Sequence, residues 1–94
     1  LAIIPDWFFD LFPNLQHLNL SNNRLETIPS SIFQFTKLKY IDLSNNDFDE
    51  FPTCLCCHPT LEDIRLNGNE IEEIPYEITK LHTIQRLYLQ DNQI

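Results

Sequence analysis

The stretch LKYIDLSNN at 38–46 returns three more times, as LQHLNLSNN at 15–23, LEDIRLNGN at 61–69 and IQRLYLQDN at 84–92, each starting 23 residues after the one before. A period this regular restricts the chain to architectures that stack one small unit repeatedly. Within 38–46, Ile41 and Leu43 lie two apart on one face of a short strand, while Tyr40, Asp42 and Ser44 point the opposite way. One face is dry. The other is wet and chemically varied, as a binding surface made of parallel strands would be. Every copy closes on an asparagine, Asn23, Asn46, Asn69 or Asn92. An amide both donates and accepts hydrogen bonds, so these four predict a structural ladder that satisfies backbone groups of their own and the adjacent turn.

Between the strands the copies keep a second frame. Leu1-Ala2-Ile3-Ile4-Pro5 aligns with Leu25 to Pro29, Phe48 to Pro52 and Ile71 to Pro75, and Ile94 falls in the slot of Leu1, Leu25, Phe48 and Ile71. Three residues past each proline comes an apolar side chain, Phe8, Ile32, Leu55 or Ile78; six past it come Leu11, Phe35, His58 and Leu81. Proline suits the first position of a helical turn and ends strand pairing, so the return paths are expected to be short helical or 3₁₀ turns on a convex side. The next strand begins nine residues after proline in three copies and ten after Pro5, which, with Trp7, Phe8, Phe9 and Phe12, makes the first return path the bulkiest.

This arrangement resembles the leucine-rich repeat family, carried by Leu15, Leu18, Leu20, Asn23, Leu25, Ile28, Pro29 and Ile32 with their counterparts. The resemblance covers the whole chain. It implies an α/β fold, a curved solenoid with a parallel sheet on the concave face, and recognition of another protein. The domain is then one repeat segment over 1–94, with a partial copy at 1–14, full copies at 15–37, 38–60 and 61–83, and a partial copy at 84–94. No polar cap closes either end, so the expectation is a slice of a longer array. The 23-residue copies with an Ile-Pro step look most like those of intracellular Ras-signalling and polarity scaffolds, whereas the longer first copy departs toward the extracellular type.

Two columns of the wet face are the candidate partner-binding residues: His17, Tyr40, Asp63 and Arg86, and beside them Asn19, Asp42, Arg65 and Tyr88. Tyrosine and arginine combine contact area with directional donors and anchor interfaces. The competing reading is internal pairing, because lateral neighbours on adjacent strands sit about 4.8 Å apart and Asp42–Arg65 and Asp63–Arg86 are of opposite charge. Such exposed pairs contribute roughly 0–1 kcal/mol.

The chain carries a net charge of −8, and six of its acids, Asp47, Asp49, Glu50, Glu70, Glu72 and Glu73, fall in matching slots just past the asparagines. An acidic edge argues against nucleic acid and reads first as a solvated rim. Its spacing is not that of a calcium loop. Cys54, Cys56, Cys57 and His58 are too nearly consecutive for a structural zinc site and are read as packing residues, with no metal or other cofactor expected. Unpaired thiols favour a reducing compartment. Asn19-Leu20-Ser21 has the form of a glycosylation acceptor but lies in a strand, where a chance match is the simpler reading.

No catalytic arrangement emerges. His17 and Ser21 are separated by roughly 13 Å of extended strand, and the single glycine, Gly68, makes no phosphate-cradling loop. No segment is apolar for long enough to span a membrane, and Asp6 and Asp10 break any resemblance to a signal peptide. The expected function is therefore non-enzymatic: a protein-binding surface within a larger cytoplasmic scaffold or signalling regulator, with small GTPases and phosphatases as partners by analogy to the scaffolds it resembles. The alternatives are an extracellular receptor ectodomain recognising a ligand, and a structural or self-association element.

Overall fold

The computed structural model describes residues 3–94. Four three-residue strands, β1 (His17–Asn19), β2 (Tyr40–Asp42), β3 (Asp63–Arg65) and β4 (Arg86–Tyr88), form one parallel sheet in sequential order. Its register matches the period, with His17, Tyr40, Asp63 and Arg86 side by side and Asn19, Asp42, Arg65 and Tyr88 in the next row. Hydrogen bonding runs past the strand ends. The N–H of Leu20 donates to Asp42 O, that of Leu43 to Arg65 O and that of Leu66 to Tyr88 O, at 2.8–2.9 Å.

The return paths are 3₁₀ turns, Asp6–Asp10, Ser30–Gln34, Thr53–Cys57 and Tyr76–Lys80, each entered from an extended proline. The fixed proline φ presets the turn. The first hydrogen bond then closes on the proline carbonyl, from Phe8, Ile32, Leu55 and Ile78 at 3.0–3.1 Å. Such turns stay short because their bond geometry is poorer than that of an α-helix. Each contributes an inward apolar residue that meets the dry face of the sheet. The core is therefore one continuous column that includes Leu18, Ile32, Leu38, Ile41, Leu43, Leu55, Ile64 and Leu66.

The first return path departs from the frame. Leu11 was expected to occupy the place of Phe35 and His58, yet it is 56% exposed, while Phe9 is 2% exposed. The turn keeps the hydrogen bonds of the other copies, Phe8 N–H to Pro5 O and Leu11 N–H to Phe8 O, so the extra residue falls after it. Phe9 sits 5.2 Å from the Phe35 ring, and Phe8 contacts Phe9, Phe12 and Phe35 edge-on at 5.6–6.2 Å. At the other end, Leu81, Ile84, Leu87 and Leu89 are only partly buried, because no turn follows them in the described stack, and Ile94 is exposed for the same reason. The placing of Leu1 and Ala2 in the frame lies outside the described residues.

One column escaped the sequence reading. Asn22, Asn45, Gly68 and Asp91, one per copy, all have positive φ between 56° and 73°. They turn the chain sharply off the strand, and Asn, Asp and Gly are the residues that tolerate this conformation. At Gly68 a Cβ would collide with the Asn45 carboxamide of the preceding copy. Hence the one glycine of the chain lies where the Asn45 carboxamide leaves no room for a side chain.

Candidate functional site

The turn asparagines hold the frame under the site. Asn46 Nδ2 donates to the carbonyls of Leu20 and Leu43, both at 3.0 Å, and its Oδ1 accepts from Leu25 N–H at 3.1 Å. Asn69 repeats the pattern on Leu43, Leu66 and Phe48, and Asn92 on Leu66, Leu89 and Ile71. Each amide thus ties two successive turns together. Asn23 donates to Leu20 O and Ser21 O within its own turn.

On the concave face the eight candidate side chains lie in two adjoining rows of the sheet, and four of them form a ladder. The His17 and Tyr40 rings stack at 5.4 Å. Arg65 reaches diagonally, its guanidinium carbon 5.1 Å from the Tyr40 ring centre and 4.6 Å from that of Tyr88. A cation over an aromatic face is attracted by the ring quadrupole, so Arg65 is held between rings from β2 and β4. Burial first, and then the Asp42 carboxylate, raise the Tyr40 phenol above its ordinary value of 10.0, which keeps it neutral.

Neither lateral pair of the competing reading forms among the described residues. Arg65 Nε meets Asp63 Oδ1 of its own strand at 3.4 Å, not Asp42. Asp42 is occupied: its Oδ1 accepts from Ser44 N–H at 2.9 Å and Ser44 Oγ at 2.6 Å, and its Oδ2 accepts from the Tyr40 hydroxyl at 3.4 Å. A short carboxylate bonding the backbone two residues on is a local preference that outcompetes a half-exposed ion pair. Asn19 does the same with Ser21. Arg86 is exposed, and among the described residues it forms no ion pair with Asp63, its register neighbour.

Asp49, Glu50, Glu72 and Glu73 line a shallow groove with Phe51 and Pro75. The cysteine turn divides three ways: Cys56 is buried, Cys54 half-buried and Cys57 exposed, so packing does not account for Cys57. Burial pushes the Cys56 thiol up to about 11, which leaves it protonated and inert. Among the described residues no three His, Cys, Asp or Glu side chains converge as a metal site, and no helix is long and apolar enough to cross a membrane.

His58 fills the place of Phe35 in its copy. Its Nδ1 accepts from Thr60 N–H at 3.2 Å, so the proton resides on Nε2, which donates to Phe35 O at 3.1 Å. Burial lowers this imidazole below its ordinary value of 6.5, outweighing the Phe35 carbonyl, which favours the charged form. A depressed folded-state value means that His58 contributes stability above the unfolded value and loses it as pH falls through the folded one. Urea unfolding of wild type and His58→Gln, which keeps a donor and an acceptor but no titratable proton, is therefore expected to give stability curves that converge as pH falls from about 7.5 to about 5. A constant gap over that range would mean that His58 takes up its proton equally in the folded and unfolded states, with no depression on folding.

The family model described as leucine rich repeat matches residues 1–48. A solved leucine-rich-repeat protein of Leptospira interrogans superimposes with a TM-score of 0.85 and 33% identity over 99% of this chain. The chain spans 24% of that protein's length. No curated protein matches the chain in sequence.

Proposed function

Because the chain belongs to the leucine-rich repeat family, we propose that its concave strand face binds another protein, as a non-catalytic module within a larger intracellular scaffold or signalling regulator. The observation that supports this most is the His17–Tyr40–Arg65–Tyr88 ladder, in which large side chains are already ordered by stacking. Side chains fixed before contact lose little entropy on binding. They stand on strands anchored by the asparagine ladder and not on mobile loops. Three free thiols, with Cys57 exposed, support a reducing compartment. The likeness of the Ile-Pro copies to Ras-signalling scaffolds makes a small GTPase or a phosphatase the first partner to try.

A second reading, end-on self-association, draws on the partly exposed apolar residues Leu81, Ile84, Leu87 and Leu89 and on Trp7, which is 63% exposed. One experiment separates the two. Tyr40, Arg65, Arg86 and Tyr88 are replaced together by alanine, folding is checked by circular dichroism, and a longer array carrying the change is compared with wild type in a pull-down under reducing conditions. The concave reading expects affinity for the retained partner to fall by at least about tenfold, or 1.4 kcal/mol. Undiminished binding would sink it, and a dimer that persists in the variant would favour the second.

A further inference from the structure

We infer that the Arg65 fork is a seat for a carboxylate, so that the partner docks on the concave face through an aspartate or glutamate side chain in an exposed segment. The inference rests on the concave-face reading above and adds the chemistry of the occupant.

The argument is a count of hydrogen-bonding capacity. Each carboxylate of this face already accepts a hydrogen bond, Asp42 from Ser44 and Tyr40 and Asp63 Oδ1 from Arg65 Nε, and Asn19 Oδ1 accepts from Ser21. The donors are not. Only Nε of Arg65 has a polar partner among the described residues, which leaves the Nη1/Nη2 edge open. Arg86 beside it has no ion pair among them. A planar guanidinium with two free parallel N–H groups matches a carboxylate bidentately, and stacking on Tyr40 and Tyr88 presets its plane.

Charge agrees with the donor count. Asp42 and Asp63 balance Arg65 and Arg86 in formal charge on the strand face, but Asp42 is turned to Ser44 and Tyr40 and Asp63 to Arg65 Nε, which leaves Arg86 without an ion pair among the described residues at the β3–β4 end. The chain as a whole is at −8, but Asp47, Asp49, Glu50, Glu70, Glu72 and Glu73 project from the turns beyond the strands. Salt screens exposed charges beyond about 8 Å under physiological conditions. A monoanionic carboxylate therefore meets the open edge of Arg65 with Arg86 on the neighbouring strand. The flanking rings also offer apolar area to its neighbours in the segment.

A random-peptide library displayed on phage through the peptide C-terminus, so that only side-chain carboxylates are offered, is panned against the wild-type chain. Selected peptides are then synthesised with amidated C-termini. The expected result is enrichment of Asp or Glu beside an apolar or aromatic residue. Replacing that acid by its amide, or changing Arg65→Lys, which keeps the charge and removes the fork, should each weaken binding about tenfold. Selection of basic or uncharged peptides, selection of none, or an Arg65→Lys affinity within about twofold of wild type overturns the inference. Tyr40→Ala and Tyr88→Ala distinguish the two levels. If uncharged peptides bind and both changes weaken them, the concave reading stands and the carboxylate seat falls; if acidic or uncharged peptides bind and neither change matters, both fall.

Discussion

Replacing Asn69 by alanine is expected to lower the unfolding free energy by about 3 kcal/mol, because it strips a 5%-exposed amide of two donated bonds and one accepted bond at once. The carbonyls of Leu43 and Leu66 would keep one donor each, Asn46 Nδ2 and Asn92 Nδ2, but the N–H of Phe48 would lose its acceptor. One unpaired buried N–H costs about 1–3 kcal/mol, and with a donor also lost from each carbonyl the total falls near the upper end of that range. Asn92→Ala is the internal control. It loses the same three kinds of bond, to Leu66, Leu89 and Ile71, but Asn92 is only partly buried, so water substitutes and the expected loss is about 1 kcal/mol. Urea unfolding of both variants decides. Equal losses would mean that bond count alone sets the cost and that burial of the ladder is irrelevant. A chain of this length has about 5–14 kcal/mol in all, so loss of one central asparagine removes a large part of it.

The asparagines show how far the sequence could be read. A period of 23 residues fixes which side chains share a row of a parallel sheet, because register in a solenoid is the period itself. Rows of lateral neighbours follow directly, and so does the alternation that buries Ile41 and Leu43 and leaves Tyr40 and Asp42 on the outer face. What happens within a row does not follow. Asp42 and Arg65 are lateral neighbours of opposite charge, yet Asp42 turns to Ser44 and Arg65 to the rings on either side. Diagonal neighbours lie within reach of a long side chain, and a local turn bond competes well with an exposed ion pair. Neither choice leaves a mark on periodicity. The positive-φ column was legible in principle, since Asn22, Asn45, Gly68 and Asp91 are all residues that accept that backbone. It passed unnoticed because no single residue type repeats there.

The first return path illustrates the same limit in the core and carries the largest expected effect. Spacing from Pro5 pointed to Leu11 as the inward residue, but Leu11 is exposed and Phe9 meets Phe35 instead. Phe35 is fully buried at the centre of this cluster, with Phe8 edge-on at 6.2 Å and its own carbonyl bonded to His58. Phe35→Ala is expected to cost about 3–5 kcal/mol, the sum of lost transfer free energy and the cavity left between Phe8 and Phe9. Edge-to-face contacts contribute part of this beyond area alone. Leu81→Ala removes the side chain in the matching slot of the last copy, where the residue is only partly buried. Its neighbours can collapse or hydrate, so the expected cost stays below about 2 kcal/mol. Thermal unfolding of the two variants reads the contrast, since 1 kcal/mol corresponds to about 4–8 °C in a domain of this size. A Phe35→Ala shift no larger than that of Leu81→Ala would show that the aromatic cluster is peripheral to the cooperative unit. The first turn would then fray independently of the sheet, and stacking would begin at the copy that starts with Leu38.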